Sequence, residues 1–231
     1  MLVMEKPRFL WIGAAVLALV PAVLSTAVAQ NPPQPAGANV LPKNPPDAFP
    51  APLPGNKTAG VDQVLQVLDW LDKFDRNGRK PANKINFSLP EKVVNEYLAY
   101  ALRVNPRPGL SSVTVKLLPN NEVSSEVWID FDAIAQWNPR LFPGPLRTVL
   151  SGKKALHVNA YIDGRNGVLN YTLHSALGPA GDLIAKQLLD QVVEIIGSHQ
   201  REAYQIGKQP IPLPYGLQRL GCEKQLLNGE T

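Results

Sequence analysis

One cysteine in a chain of 231 residues, Cys222, excludes an intrachain disulfide, so packing must hold the fold together. Cys222 itself reads as a small structural residue near the tail. Histidine is almost as scarce, at positions 157, 174 and 199. No Cys/His pair has metal-ligand spacing, and no G-x-S-x-G, Walker loop or H-E-x-x-H occurs. These absences argue against an enzyme and leave no cofactor or metal to expect. His157 and His174 fall on the wet faces of adjacent strands without an evident third ligand. His199 lies past the end of a helix, where a charge–dipole contact explains it. Charge of one sign is also lacking: the net charge is +4, with no Arg/Lys stripe interleaved with aromatics. A nucleic-acid partner is therefore not expected, while a mild attraction to anionic surfaces is.

The first residues have the composition of a targeting segment. Lys6 and Arg8 precede the apolar run Phe9–Leu24, which Pro21 interrupts and which is shorter than the ~20 residues of a membrane span. "TAVAQ" then offers a small-x-small cleavage pattern, with the cut expected after Ala29. Residues 1–29 thus read as a signal peptide, the alternative being an uncleaved anchor. The expected location is outside the cytoplasm, in a periplasm or at the cell surface. Residues 30–57 are proline-dominated and without apolar period, so they read as a disordered tether. Residues 58–221 read as one domain and 222–231 as a flexible tail. Nothing in the pattern fixes an oligomeric state.

Within the domain, Val61, Val64, Leu65, Leu68, Leu71 and Phe74 recur at steps of three and four and predict a helix ending near Gly78. "FSLPEKVVNEYLAYAL" predicts a second helix over Leu89–Leu102, with Ser88 and Glu91 as a capping box and Pro90 in the first turn. Asn95 borders its apolar face, where an amide is expected to bond neighbouring backbone. From Ser111 the period changes to two. Val113, Val115 and Leu117 face one way, followed after "PNNE" by Val123, Val127, Ile129 and Phe131, with Trp128 on the polar face. Leu156, Val158, Ala160 and Ile162 alternate into the hairpin turn "DGRNG", and Leu169, Tyr171, Leu173 and Leu177 alternate out of it. Such alternation predicts an antiparallel sheet of about four to six strands with one dry face. Asp182–Ile196 predicts a helix apolar over half its circumference, far more than the ~100° of an ordinary surface helix. Asp130, Asp132 and Asp163 stand near strand ends, where solvated charge is the expectation rather than acid–base work.

The segment "FSLPEKVVNEYLAYAL", with Leu89, Glu91 and Asn95 in place, resembles the helix signature of the LmeA-like phospholipid-binding family; Pro90 stands for its Thr and Val94 for its Leu. The later order of hairpin, apolar helix and "PIPLPYGLQRL" is similar too, so that the resemblance covers Lys84–Leu220. It implies an α+β, TULIP-like fold: a curved antiparallel sheet wrapped around the long apolar helix, with additional packing helices. It also implies a lipid or another apolar ligand as partner. The slot would be lined by Val113, Val115, Val127, Ile129 and Phe131 on the first two strands. Leu156, Val158, Tyr171 and Leu173 would follow on the hairpin, with Leu188 and Val192 on the helix. The alternative is a non-catalytic envelope module in which the same residues form a solid core. Finally, Trp137, Arg140, Leu141, Phe142 and Arg147 mix apolar and basic side chains in a proline-rich loop. That composition suits peripheral contact with an anionic membrane at a portal to the slot, the alternative being a loop that covers the core.

Overall fold

The computed structural model describes residues 57–104, 106, 109–137, 151–178 and 210–231. Helix α1 spans Ala59–Arg76. Thr58 caps it by accepting from the Val61 N–H at 3.2 Å, and Asn77 and the left-handed Gly78 (φ +76°) end it. Its buried stripe of Val61, Val64, Leu68, Leu71 and Phe74 follows the predicted spacing, with Val67 added and Leu65 only half-buried.

The next segment departs from expectation. Asn86–Pro90 is a strand, β1, and helix α2 begins only at Glu91, running to Val104. Ser88 therefore lies in mid-strand and forms no capping box. Phe87 and Leu89 turn inward instead, because β1 has a partner in the last strand of the chain. Strands β2 (Leu110–Leu117) and β3 (Glu122–Asp130) follow. A short helix, α3 (Phe131–Trp137), then replaces the predicted continuation of the strand. The Asp130 carboxylate accepts from the Ala133 N–H at 2.9 Å, as an N-cap does, and Phe131 is buried as the first helical residue. Strands β4 (Lys153–Arg165), β5 (Val168–Leu177), β6 (Ile211–Pro212), β7 (Arg219–Glu223) and β8 (Leu226–Glu230) complete the described chain.

All eight strands belong to one sheet in the order β1-β8-β7-β4-β3-β2, with β5 beside β4 and β6 beside β5, and every pairing is antiparallel. The architecture is α+β with a larger sheet than the period-two runs suggested. The expected tail, residues 222–231, is instead structural: β8 sits between β1 and β7. The predicted central helix, Asp182–Ile196, lies outside the described residues, as do the expected signal and nearly all of the tether. Among the described residues, no helix is long and apolar enough to cross a membrane.

Two junctions hold this sheet together. β3 pairs with β4 as far as Tyr161, and β7 takes over along the same edge at Gly164. A Cβ on Gly164 would lie 2.7 Å from the Leu220 carbonyl oxygen, so glycine permits that close approach. The Asn121 side chain fills the remaining gap by accepting from the Cys222 N–H at 2.9 Å. At the other end, α2 covers the free edge of β2. The Asn95 amide both donates to the Val115 carbonyl and accepts from the Val115 N–H, each at 2.8 Å. One turn earlier, Glu91 accepts from the Leu117 N–H at 2.7 Å. Two side chains at i and i+4 thus stand in for a neighbouring strand and close an edge that would otherwise invite association.

Candidate functional site

The register sorts the predicted lining residues onto one face. Val113, Val127 and Leu156 lie side by side across three strands, as do Val115, Ser125 and Val158 one row along. Ile129 lies on the same face of β3. On the hairpin, Ile162 pairs with Tyr171 and Ala160 with Leu173. Phe131 is off the sheet in α3, though it remains in the same apolar core. Leu188 and Val192 fall outside the described residues, so their place beside this face is not given. Arg140, Leu141, Phe142 and Arg147 of the suggested membrane loop also lie outside them. Trp137 ends α3, and its side chain is not described.

Burial varies within the face. Val113, Val115 and Val127 are closed off, while Leu156, Tyr171 and Leu173 are half-buried. On β4 and β5 the inward Val158, Ala160, Ile162, Leu169 and Ala176 are closed off as well, so the half-buried residues form a patch within an otherwise covered face. A bulge between Asn159 and Ala160 of β4, opposite His174, shifts the phase of β5. Beyond it Ala176 faces inward and Leu177 outward, the reverse of uninterrupted alternation.

One inward residue escaped the apolar pattern. Ser125 is 2% exposed, and its hydroxyl is the one buried side-chain polar atom without a hydrogen-bond partner among the described residues. An unpaired buried hydroxyl costs on the order of 1–3 kcal/mol. The strict alternation from Val123 to Ile129 would have placed Ser125 inside, but its polarity hid it from a search for apolar residues.

The opposite face carries the histidines. His157 Nδ1 lies 3.7 Å from the Glu126 carboxylate and His174 Nδ1 lies 3.4 Å from Glu122, all four side chains well exposed. No group of three metal-ligating side chains is found among the described residues. Trp128 is exposed beside them and donates its indole N–H to Glu126 at 2.9 Å. Asp163 pairs with Arg165 at 2.9 Å.

Among the described residues, two groups have displaced acidities, both upward. Burial pushes the Cys222 thiol up to about 11, so it stays protonated near neutrality and is a poor nucleophile. Burial, reinforced by Tyr215 and Tyr100, pushes the Tyr97 hydroxyl up to about 12 from 10.0. The folded state thus holds the Tyr97 proton more tightly than the unfolded state does. Its contribution to stability is complete below pH 10 and is lost as pH rises toward 12, by about 2–3 kcal/mol in all. Urea titrations at stepped pH should show this alkaline decline, and Tyr97→Phe should flatten it. An unchanged slope in the variant would assign the decline to other groups.

Comparison of the chain with protein-family models, with curated proteins and with solved structures finds no match.

Proposed function

We propose that this protein is an exported, non-catalytic carrier of lipid or another apolar ligand, held against the inner face of the sheet. The observation that carries the reading is the apolar face itself, running from β2 through β5, with Leu156, Tyr171 and Leu173 only half-buried on it. The orphaned Ser125 hydroxyl lies within it, where an ester or carboxyl oxygen of a ligand would supply the missing partner. The sequence of Asp182–Ile196 is apolar enough to suit contact with such a ligand, though it lies outside the described residues. The resemblance to LmeA-like proteins agrees with such a ligand, and the aromatic and basic composition of residues 137–154 with its delivery at an anionic membrane.

A second reading, an envelope module with a filled interior, draws on the nearly complete burial of Val113, Val115 and Val127. Organic extraction of the purified chain followed by mass spectrometry separates the two. A carrier should release acyl-bearing or other apolar molecules in a stable molar ratio. Leu173→Trp should reduce that yield severalfold while leaving a cooperative melt, since Leu173 is only half-buried. Recovery of no apolar molecule from the wild-type chain would favour the filled interior.

A further inference from the structure

On the outer face of the sheet, where β1, β8, β7 and the end of β4 meet, lies an open cleft of about 660 Å3. Its position follows from the register. Arg165 pairs with Arg219, Arg219 with Glu230 and Glu230 with Asn86, so these side chains share the face opposite Phe87, Leu220 and Leu227. The volume falls within the ~300–1,000 Å3 of small-ligand sites, but such sites are mostly apolar. This one is lined by amides and charges, so its occupant must be polar.

The charges are of both signs, with one carboxylate in excess. Three carboxylates, Asp163, Glu223 and Glu230, stand with two guanidiniums, Arg165 and Arg219. Opposed arginines on neighbouring strands would repel each other, and each has a carboxylate beside it: Asp163 at 2.9 Å and Glu230 at 3.9 Å. Glu223 also accepts from the Asn120 N–H at 3.1 Å. What remains unengaged is amide. The exposed side chains of Asn86, Asn120 and Asn166 and the half-buried one of Asn228 make no hydrogen bond among the described residues, and each presents two donors and an acceptor to the cleft in place of water. Gly221 keeps the floor low, because a Cβ there would lie 2.4 Å from Oδ1 of the Asn121 side chain.

We propose that this cleft binds a neutral, polyhydroxylated ligand, that is, a carbohydrate. Adjacent hydroxyls that each donate and accept are the complement of amides set among mostly paired charges. A free anion or cation would disturb the existing ion pairs instead. The site is on the face opposite the apolar one and stands independently of lipid binding.

The test is isothermal titration of the full chain with maltotriose, cellotriose, mannotriose and triacetylchitotriose, with trigalacturonate and inorganic phosphate as charged comparators. At least one neutral trisaccharide should bind in the millimolar range or tighter. The double variant Asn86→Ala/Asn228→Ala should bind it about tenfold more weakly, as expected for two lost neutral hydrogen bonds. Both positions lie on strands at ordinary negative φ, and thermal melts of the variant should match the wild type. Arg219→Ala, on an exposed side chain, supplies an independent second variant. Binding of the charged comparators alone, no binding of any neutral sugar, or unchanged affinity in both variants would overturn the proposal.

Discussion

A chain stopped after Gly221 should show no cooperative unfolding transition. The missing residues include β8, which pairs with β1 along Asn86–Pro90 on one side and with β7 along Arg219–Glu223 on the other. Without it, two flanking strands lose their shared partner at once. Leu227, 1% exposed, leaves with it, and deletion of one such side chain alone typically costs about 2–5 kcal/mol. The sum approaches the ~5–15 kcal/mol by which domains are stable at all. Circular dichroism and thermal melts of the soluble fraction are the measurement. A truncated chain that melts at the wild-type temperature would show β8 to be dispensable.

The second large effect is expected at Asn95. Replacing it with leucine preserves volume but removes both hydrogen bonds to Val115 and leaves that N–H and carbonyl unpaired on a partly buried edge. The expected loss is about 2–4 kcal/mol, counting two hydrogen bonds and the stranded backbone groups. In a domain of this size that corresponds to a fall in Tm of about 5–15 °C. Glu91→Ala should lower stability further through Leu117, and the double variant should aggregate on heating as the β2 edge is uncovered. A Tm within about 2 °C of wild type for Asn95→Leu would mean that water satisfies the edge as well as the amide does.

How much of this was legible beforehand differs by element. The α1 stripe could be read directly because its apolar side chains all meet one partner surface at helical spacing. The alternation in β2, β3 and the β4–β5 hairpin was equally plain, as was the bonding role of Asn95. β1 was not, since "SLPE" carries every local mark of a helix start and only the distant pairing with β8 makes Phe87 and Leu89 strand residues. β8 is five residues long, and its turn uses Lys224 and Gln225 at positive φ rather than the Asn or Gly that announces a hairpin. At the candidate face, the apolar residues were found by their period. Ser125 was not, because a serine on a dry face has no compositional signal. The phase shift opposite His174 depends on pairing geometry that no single strand encodes.

The pairing of β1 with β8 also governs when the fold can form. The Thr231 N–H donates to the Ile85 carbonyl at 3.0 Å, and the Ile85 N–H donates to the Thr231 hydroxyl at 2.9 Å, across a separation of 146 residues. A ribosome must therefore deliver almost the whole described chain before β1 has a partner. Contacts this distant in sequence make folding slow, because loop closure precedes any gain from pairing. The β1–β8 seam is consequently the last part of the sheet to close, after the local pairings of β2 through β5.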